Sequence, residues 1–464
     1  MKQSKRSSYS ILLLLFSFLY LTGFSQDKSH FQWKAGTARL NITPQQSMWM
    51  AGYGSRTKPS EGKLTDIWVK ALALEDKAGN RSVLVTMDLV GVPKKVSEEI
   101  RDALKGKLGL SRSQIILNTS HTHSGPVLSD ALFDIYPLND AERDKIAQYT
   151  KWLTNAVIKM VGESFQKMVP VDVYSANGIT RFQVNRRNNS EALLTSITHL
   201  NGPNDYAVPV IKVVDKSGKM IAVAFGYACH NTVLSGYEWS GDYAGFAQID
   251  LEKTFPGTMA LFFQGCGADL NPLPRRTVAV AKQYGQELSS AVQAVLGEDM
   301  ELLSGQIKTA YKEIDLPMNA PMPRTEMEQM AKKNSGYQSR WASRLLKELD
   351  QGKSLDRSYP YPVQVWKLGE QPMVILGGEV VVDYAIDLKN IFGQNLFVLG
   401  YSNDVMSYIP SARILREGGY EGALAPIVYG LPATWRADAQ SLIYETVLEL
   451  AEEASIPIPT KKIE

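Results

Sequence analysis

Short apolar runs recur along this chain, separated by glycine-rich or polar loops and by stretches of helical period. Apolar runs bounded by turn residues read as buried strands. They fall at 66–74, 82–88, 115–117, 171–174, 207–214, 220–225, 259–263, 373–376 and 396–399. Residues 34–44 alternate and stop at Pro44, the pattern of an edge strand. Apolar residues recur at helical spacing over 93–108, 141–168, 244–253, 278–296 and 433–454, and a further helix is predicted from Glu379 to about residue 391. Pro93 would sit in a first turn, where its missing N–H costs nothing. Residues 323–350 read as a charged helix or helix pair. Strand, loop and helix in repetition predict an α/β fold, with mixed sheet layers flanked by helices. In such folds ligands sit at the carboxyl ends of strands. Five strand ends here carry reactive groups: His121 with His123, His230, the 265–271 loop, Glu379 and Tyr408.

Two of the five histidines lie one residue apart in Asn118-Thr-Ser-His-Thr-His-Ser-Gly-Pro126. Alternate side chains of an extended segment share a face, so His121 and His123 can aim into one pocket. Neutral imidazole is the commonest metal ligand, although two polar loop residues would produce the same spacing. His230 ends another strand. Catalytic zinc takes nitrogen and oxygen ligands and keeps a position open, and two histidines with a carboxylate would serve. Glu379, after two glycines, is the best carboxylate, and an acid favoured by a helix dipole is the plainer reading. His199 is expected to be structural, and His30 to be unimportant. Asp88, Asp242 and Asp269 are candidates to orient the histidines, or are turn and cap residues. Arg187 reads as a solvated neighbour of Arg186.

Composition narrows the class. Lys2, Lys5 and Arg6 precede an apolar run over 11–21 and the small-x-small triplet Gly23-Phe24-Ser25. The run is too short to span a bilayer, so residues 1–25 are expected to be a signal peptide and the protein periplasmic or secreted. Residues 26–464 then remain, long enough for one large domain or two. Removing three positive charges takes the formal net charge from +2 to −1 (2 − 3), which argues against nucleic acid or an acidic membrane as partner. No second stretch is long and apolar enough to be transmembrane, and no phosphate-cradling glycine motif precedes a lysine. The two cysteines, Cys229 and Cys266, could pair in an exported protein, or stay free.

The 118–126 motif, the strand end at Ala228-Cys-His230, Gly377-Gly-Glu379, the run from Asn403 through Tyr408 to Gly419-Tyr-Glu-Gly422, Gly36-Thr-Ala-Arg39, Asn41-Ile-Thr-Pro44 and Asn185-Arg186 together resemble the N-terminal catalytic domain of neutral ceramidases. The motifs run in order from about residue 34 to 422. The resemblance implies a zinc-dependent hydrolase that cleaves an amide (N-acyl) bond of a small-molecule or lipid-like substrate by metal-activated water. It implies His121, His230, Glu379 and Tyr408 as zinc ligands, Tyr408 being preferred to Tyr420. It places His123 and Tyr408 in catalysis and Arg186 at the substrate's polar head.

Two departures stand out. Ala268-Asp-Leu-Asn-Pro272 has Asn271 where the family loop carries a serine. Asparagine cannot act as a nucleophile, so Asn271 is expected to contact substrate and water to attack. The chain also stops where a C-terminal β-sandwich would follow in ceramidases, so its pocket and membrane docking are expected to differ. Two alternatives follow: a zinc hydrolase of the same fold acting on an ester, lactone or amide of a carbohydrate-derived substrate, or an inactive binding protein.

Overall fold

The computed structural model describes residues 32–132, 134–333 and 336–458. The leader-like segment 1–25, His30 and the last residues of the tail lie outside the described residues. Among these residues a nine-stranded sheet runs in the order Met259–Gln264, Met220–Tyr227, Ala207–Asp215, Val169–Ile179, Trp33–Asn41, Trp68–Asp76, Arg81–Met87, Ile115–Thr119, with Glu301–Leu302 beside Val169–Ile179. Its two outermost pairs are parallel, and the pairs between them are antiparallel. A second sheet of four strands runs Ile307–Pro317, Ser358–Leu368, Gln371–Leu376, Phe397–Leu399.

The continuous apolar runs have a direct cause: the large sheet is covered on both faces. Ile116 and Leu84 point into the core between the sheets, where Leu72, Val213 and Phe263 meet Trp366, Ile375 and Leu399 of the second sheet. Ile115, Leu117, Val83 and Val85 point the other way, under Lys94–Leu108 and Asp140–Gln166. The far half of that outer face is covered by Asp242–Thr254 and Val278–Leu296. Val382–Phe392 and Ala439–Glu453 cover the second sheet. The result is four layers: helix, sheet, sheet, helix. No helix among the described residues is long and apolar enough to cross a membrane.

Several sequence expectations need correction. Trp33–Asn41 is an interior strand, paired on both sides. Pro44 lies three residues beyond its end, so the proline removes no ladder hydrogen bond. For residues 323–350 the helix-pair reading holds, with helices at Arg324–Lys332 and Gly336–Asp350. The last helix starts at Ala439 rather than at 433, because Trp435 bridges to Met318 and its indole N–H donates to the Tyr408 carbonyl at 2.7 Å. Glu379 does not open a helix. It forms a two-residue parallel ladder with Tyr408, and the helix begins at Val382. Cys229 and Cys266 are buried free thiols.

Candidate metal centre

The site lies where strand ends of the two sheets meet. Asn118, fully buried, joins them. Its amide donates to the Gly400 carbonyl at 2.9 Å and to Ser402 Oγ at 3.0 Å, and its Oδ1 accepts from Gln264 N–H at 2.8 Å. Just past this staple His121 adopts φ 60°, a left-handed conformation uncommon for a residue with a Cβ. The turn aims its ring inward. Gly378, at φ 74°, brings Glu379 in from the other sheet; a Cβ there would lie 2.7 Å from the Ser407 carbonyl oxygen.

His121 Nδ1 lies 2.6 Å from the Val90 carbonyl, and His230 Nδ1 lies 2.7 Å from the Gly267 carbonyl. A carbonyl only accepts, so each Nδ1 carries a proton and each ring turns its Nε2 inward. Glu379 Oε2 sits 3.1 Å from His121 Nε2 and 3.2 Å from His230 Nε2. That oxygen is buried without a hydrogen-bond partner. Burial, followed by the charge of Arg186, lowers the His230 pKa to about 4, so its ring is neutral near pH 7. His230 Nε2 and Glu379 Oε2 are therefore two buried acceptors face to face with no proton between them, and His121 Nε2 lies beside the same carboxylate oxygen. Such an arrangement is repulsive unless a cation fills it, and the donors suit zinc. The Tyr408 hydroxyl lies 3.3 Å from His230 Nε2. Tyr420 packs its ring against Tyr408 at 5.2 Å between centroids, so Tyr408 is the tyrosine nearer the imidazoles.

His123 is held differently. Its Nε2 is 3.1 Å from His121 Nε2, and its buried Nδ1 has no hydrogen-bond partner. The nitrogens of His121, His123 and His230 lie within 4.8 Å of one another. Burial, then the neighbouring imidazoles, push the His123 pKa well down. Gly52, at φ 102°, lets the 50–56 loop close on this ring; a Cβ there would meet His123 Cγ at 2.4 Å. No carbonyl fixes the His123 tautomer, so the ring can take a proton on either nitrogen.

Arg186 spans the mouth. Its Nη2 donates to the Tyr408 hydroxyl at 3.1 Å, Nη1 to Asn271 Oδ1 at 3.3 Å and Nε to Glu421 Oε1 at 2.8 Å. Desolvation works against its charge, yet Tyr408 and Glu421 hold its pKa well above the ordinary value. A cleft of about 570 Å³ opens beside Arg186 and Asn271.

The structure thus brings His121, His123, His230, Glu379, Tyr408, Arg186 and Asn271 into one site. Other expectations fail. Asp88, Asp242 and Asp269 do not orient the histidines; two backbone carbonyls do. Asp88 accepts from Trp68 N–H, Asp242 from the N–H groups of Val233 and Leu234, and Asp269 from Val382 N–H. Arg187 is no solvated neighbour: it bonds Glu421 at 2.6 Å, Glu417 at 2.9 Å and the Gly418 carbonyl. His199 is exposed and bonds Thr198, with no core role. Sequence reasoning missed Tyr429, whose hydroxyl donates to Glu379 Oε1, and the role of Glu421 as the shared partner of two arginines.

Tyr429 and the buried Asp404 both line a second cavity. Burial raises Asp404 from 3.8 to about 7, against the lowering effect of the Tyr359 hydroxyl that donates to it at 2.7 Å. The folded state keeps this proton to about pH 7, whereas the unfolded state releases it near 3.8. The stabilisation is therefore full below the lower value and lost as pH rises through the higher one. Between pH 5 and pH 8 the loss should be about 2 kcal/mol. Urea denaturation across that range should show the decline, and Asp404→Asn should flatten it. An equal slope in wild type and variant would refute the assignment.

Comparisons with known proteins identify the family and the fold. Residues 33–312, more than half the chain, match the family model described as neutral/alkaline non-lysosomal ceramidase, N-terminal. A neutral ceramidase of Drosophila pseudoobscura pseudoobscura is 22% identical over 236 residues, which cover 48% of this chain and 32% of that protein. The match thus spans about a third of that relative's length. The crystal structure of a neutral ceramidase from Pseudomonas aeruginosa superposes with a TM-score of 0.70 at 18% identity, over 93% of this chain and 76% of that one. A ceramidase complexed with C2 superposes with a TM-score of 0.70 at 17% identity, over 93% and 77%. On the family match, this chain belongs to the neutral/alkaline non-lysosomal ceramidase family.

Proposed function

We propose that this protein is an exported zinc-dependent hydrolase that cleaves an N-acyl amide bond with water. The observation that carries the reading is the convergence of His121 Nε2, His230 Nε2 and Glu379 Oε2 at 3.1–3.2 Å. These three, with Tyr408 as fourth ligand, would hold the ion. Bound zinc supplies Lewis acidity to a water molecule and to the acyl carbonyl.

The remaining roles belong to the protein's own groups. His123, whose Nε2 faces His121 Nε2, accepts a proton from the attacking water and returns it to the leaving nitrogen. Arg186 orients the Tyr408 hydroxyl and, with it, donates toward the oxygen that gains charge as the carbonyl is attacked. Asn271 carries no nucleophile and hydrogen-bonds Arg186, which supports water as the attacking group. The leader-like pattern of residues 1–25 supports export, with the catalytic domain running from residue 26.

The test is metal removal. Purified protein is expected to carry about one zinc per chain. Dialysis against a chelator should abolish amide hydrolysis, and zinc should restore it. Full activity after complete removal of metal would overturn the reading.

A further inference from the structure

The cleft beside Arg186 is polar on nearly every side. We infer that it takes the amine half of the substrate, and that this half is a hydroxyl-rich amino sugar and not a long-chain base. The inference rests on the amide-hydrolase reading above.

Charge balance is the first observation. Arg186, Arg187 and Arg275 line the cleft, and each is already ion-paired. Arg186 and Arg187 share Glu421, Arg187 also holds Glu417, and Arg275 bonds Glu191 at 3.1 Å. Each arginine of the lining already holds a carboxylate, Glu417 being shared with Arg413 outside the cleft, so none is left unpaired to select an anion. The pairs leave donors and acceptors side by side, and Asn271 adds an amide. A hydroxyl group both donates and accepts, so a ring bearing several hydroxyls matches such a wall.

The second observation is the shortage of apolar wall. Leu273 and Tyr420 supply the large apolar side chains of this cleft among the described residues. A long alkyl base gains its binding energy methylene by methylene from burial, and here few of its methylenes would be covered. Tyr420 is 40% exposed, with the Arg186 guanidinium 5.8 Å from its ring centroid. Arg186 and Tyr408 pack against the ring, and its exposed part is available to the C–H face of a sugar.

The reaction balances without a further reactant. Water oxygen bonds to the acyl carbon, and the C–N bond breaks. The amine nitrogen takes one water proton, relayed by His123, and then the proton released by the new carboxylic acid, leaving a carboxylate and an amino sugar in its ammonium form.

The full zinc-loaded chain should be assayed with N-hexanoyl-glucosamine, with hexanoyl-ceramide in mixed micelles and with hexanoyl p-nitroanilide. The expected result is a kcat/KM for the amino sugar at least about 100-fold above that for the ceramide. Arg275→Ala should raise KM for the amino sugar about 10-fold, with a much smaller change in kcat, and Arg275→Lys should recover part of the loss. Calorimetry with glucosamine reads the cleft without catalysis and should show about 10-fold weaker binding in Arg275→Ala. Preference for the ceramide would overturn the inference. Cleavage of the anilide alone would overturn it while leaving the hydrolase reading intact. Cleavage of none of the three would overturn both.

Discussion

Glu379→Ala should leave the protein folded and nearly devoid of metal. Glu379 is buried and is the carboxylate nearest both inward-facing imidazole nitrogens. On the proposed four-ligand zinc site, losing this carboxylate should cost about 3 kcal/mol of zinc affinity, a factor of over 100. Tyr429→Phe is the informative contrast. The Tyr429 hydroxyl donates to Glu379 Oε1, the oxygen turned away from the imidazoles. Removing that donor leaves the ligand in place but less firmly oriented, and should weaken zinc about 10-fold. Competition against a chromophoric chelator reads both values. Thermal denaturation gives an independent readout: zinc should raise the Tm of wild type and leave that of Glu379→Ala unchanged. One zinc per chain in Glu379→Ala would remove this glutamate from the centre.

The second large effect is on stability. Glu421 is buried, and each of its oxygens meets one arginine, Arg186 at 2.8 Å and Arg187 at 2.6 Å. Glu421→Ala leaves two guanidinium groups close together with the shared carboxylate gone. Breaking a buried ion pair from one side costs about 3–5 kcal/mol. The lower end is expected, since Arg187 keeps Glu417 and the Gly418 carbonyl. Glu421→Gln keeps the volume and one acceptor, and should cost roughly half as much. Chemical denaturation of both variants checks this. A change below about 1 kcal/mol in Glu421→Ala would show that water solvates the arginines instead.

How much was legible in advance depended on the kind of signal. His121 and His123 could be read because a strand, two alternate imidazoles and a Gly-Pro break are local to nine residues. Glu379 could be named but not placed. Its helix-like flank hid a two-residue ladder to Tyr408, a pairing set by a distant part of the chain. The groups that orient the histidines could not be read at all. They are the carbonyls of Val90 and Gly267, and a backbone oxygen leaves no mark in a sequence. The three aspartates proposed for that task instead accept from backbone N–H groups at turns and helix starts. Glu421 was invisible for a different reason: its partner Arg186 is 235 residues away. Burial of the strands on both faces was legible in their unbroken apolar runs, whereas the order of strands in the sheet was not. Pro44 misled because a proline just past a strand looks much like one at its edge.

The Asn118 staple has a consequence for how the protein is made. It ties the end of Ile115–Thr119 to the backbone at Gly400 and Gln264, and the groups converging around it run from His121 to Tyr408. Closing so long a loop is entropically slow and is rewarded only when both sheets are in place. An ion held at the proposed site would therefore be gripped only near the end of folding, and could not template its beginning. In refolding experiments zinc should slow unfolding while leaving the rate of refolding nearly untouched.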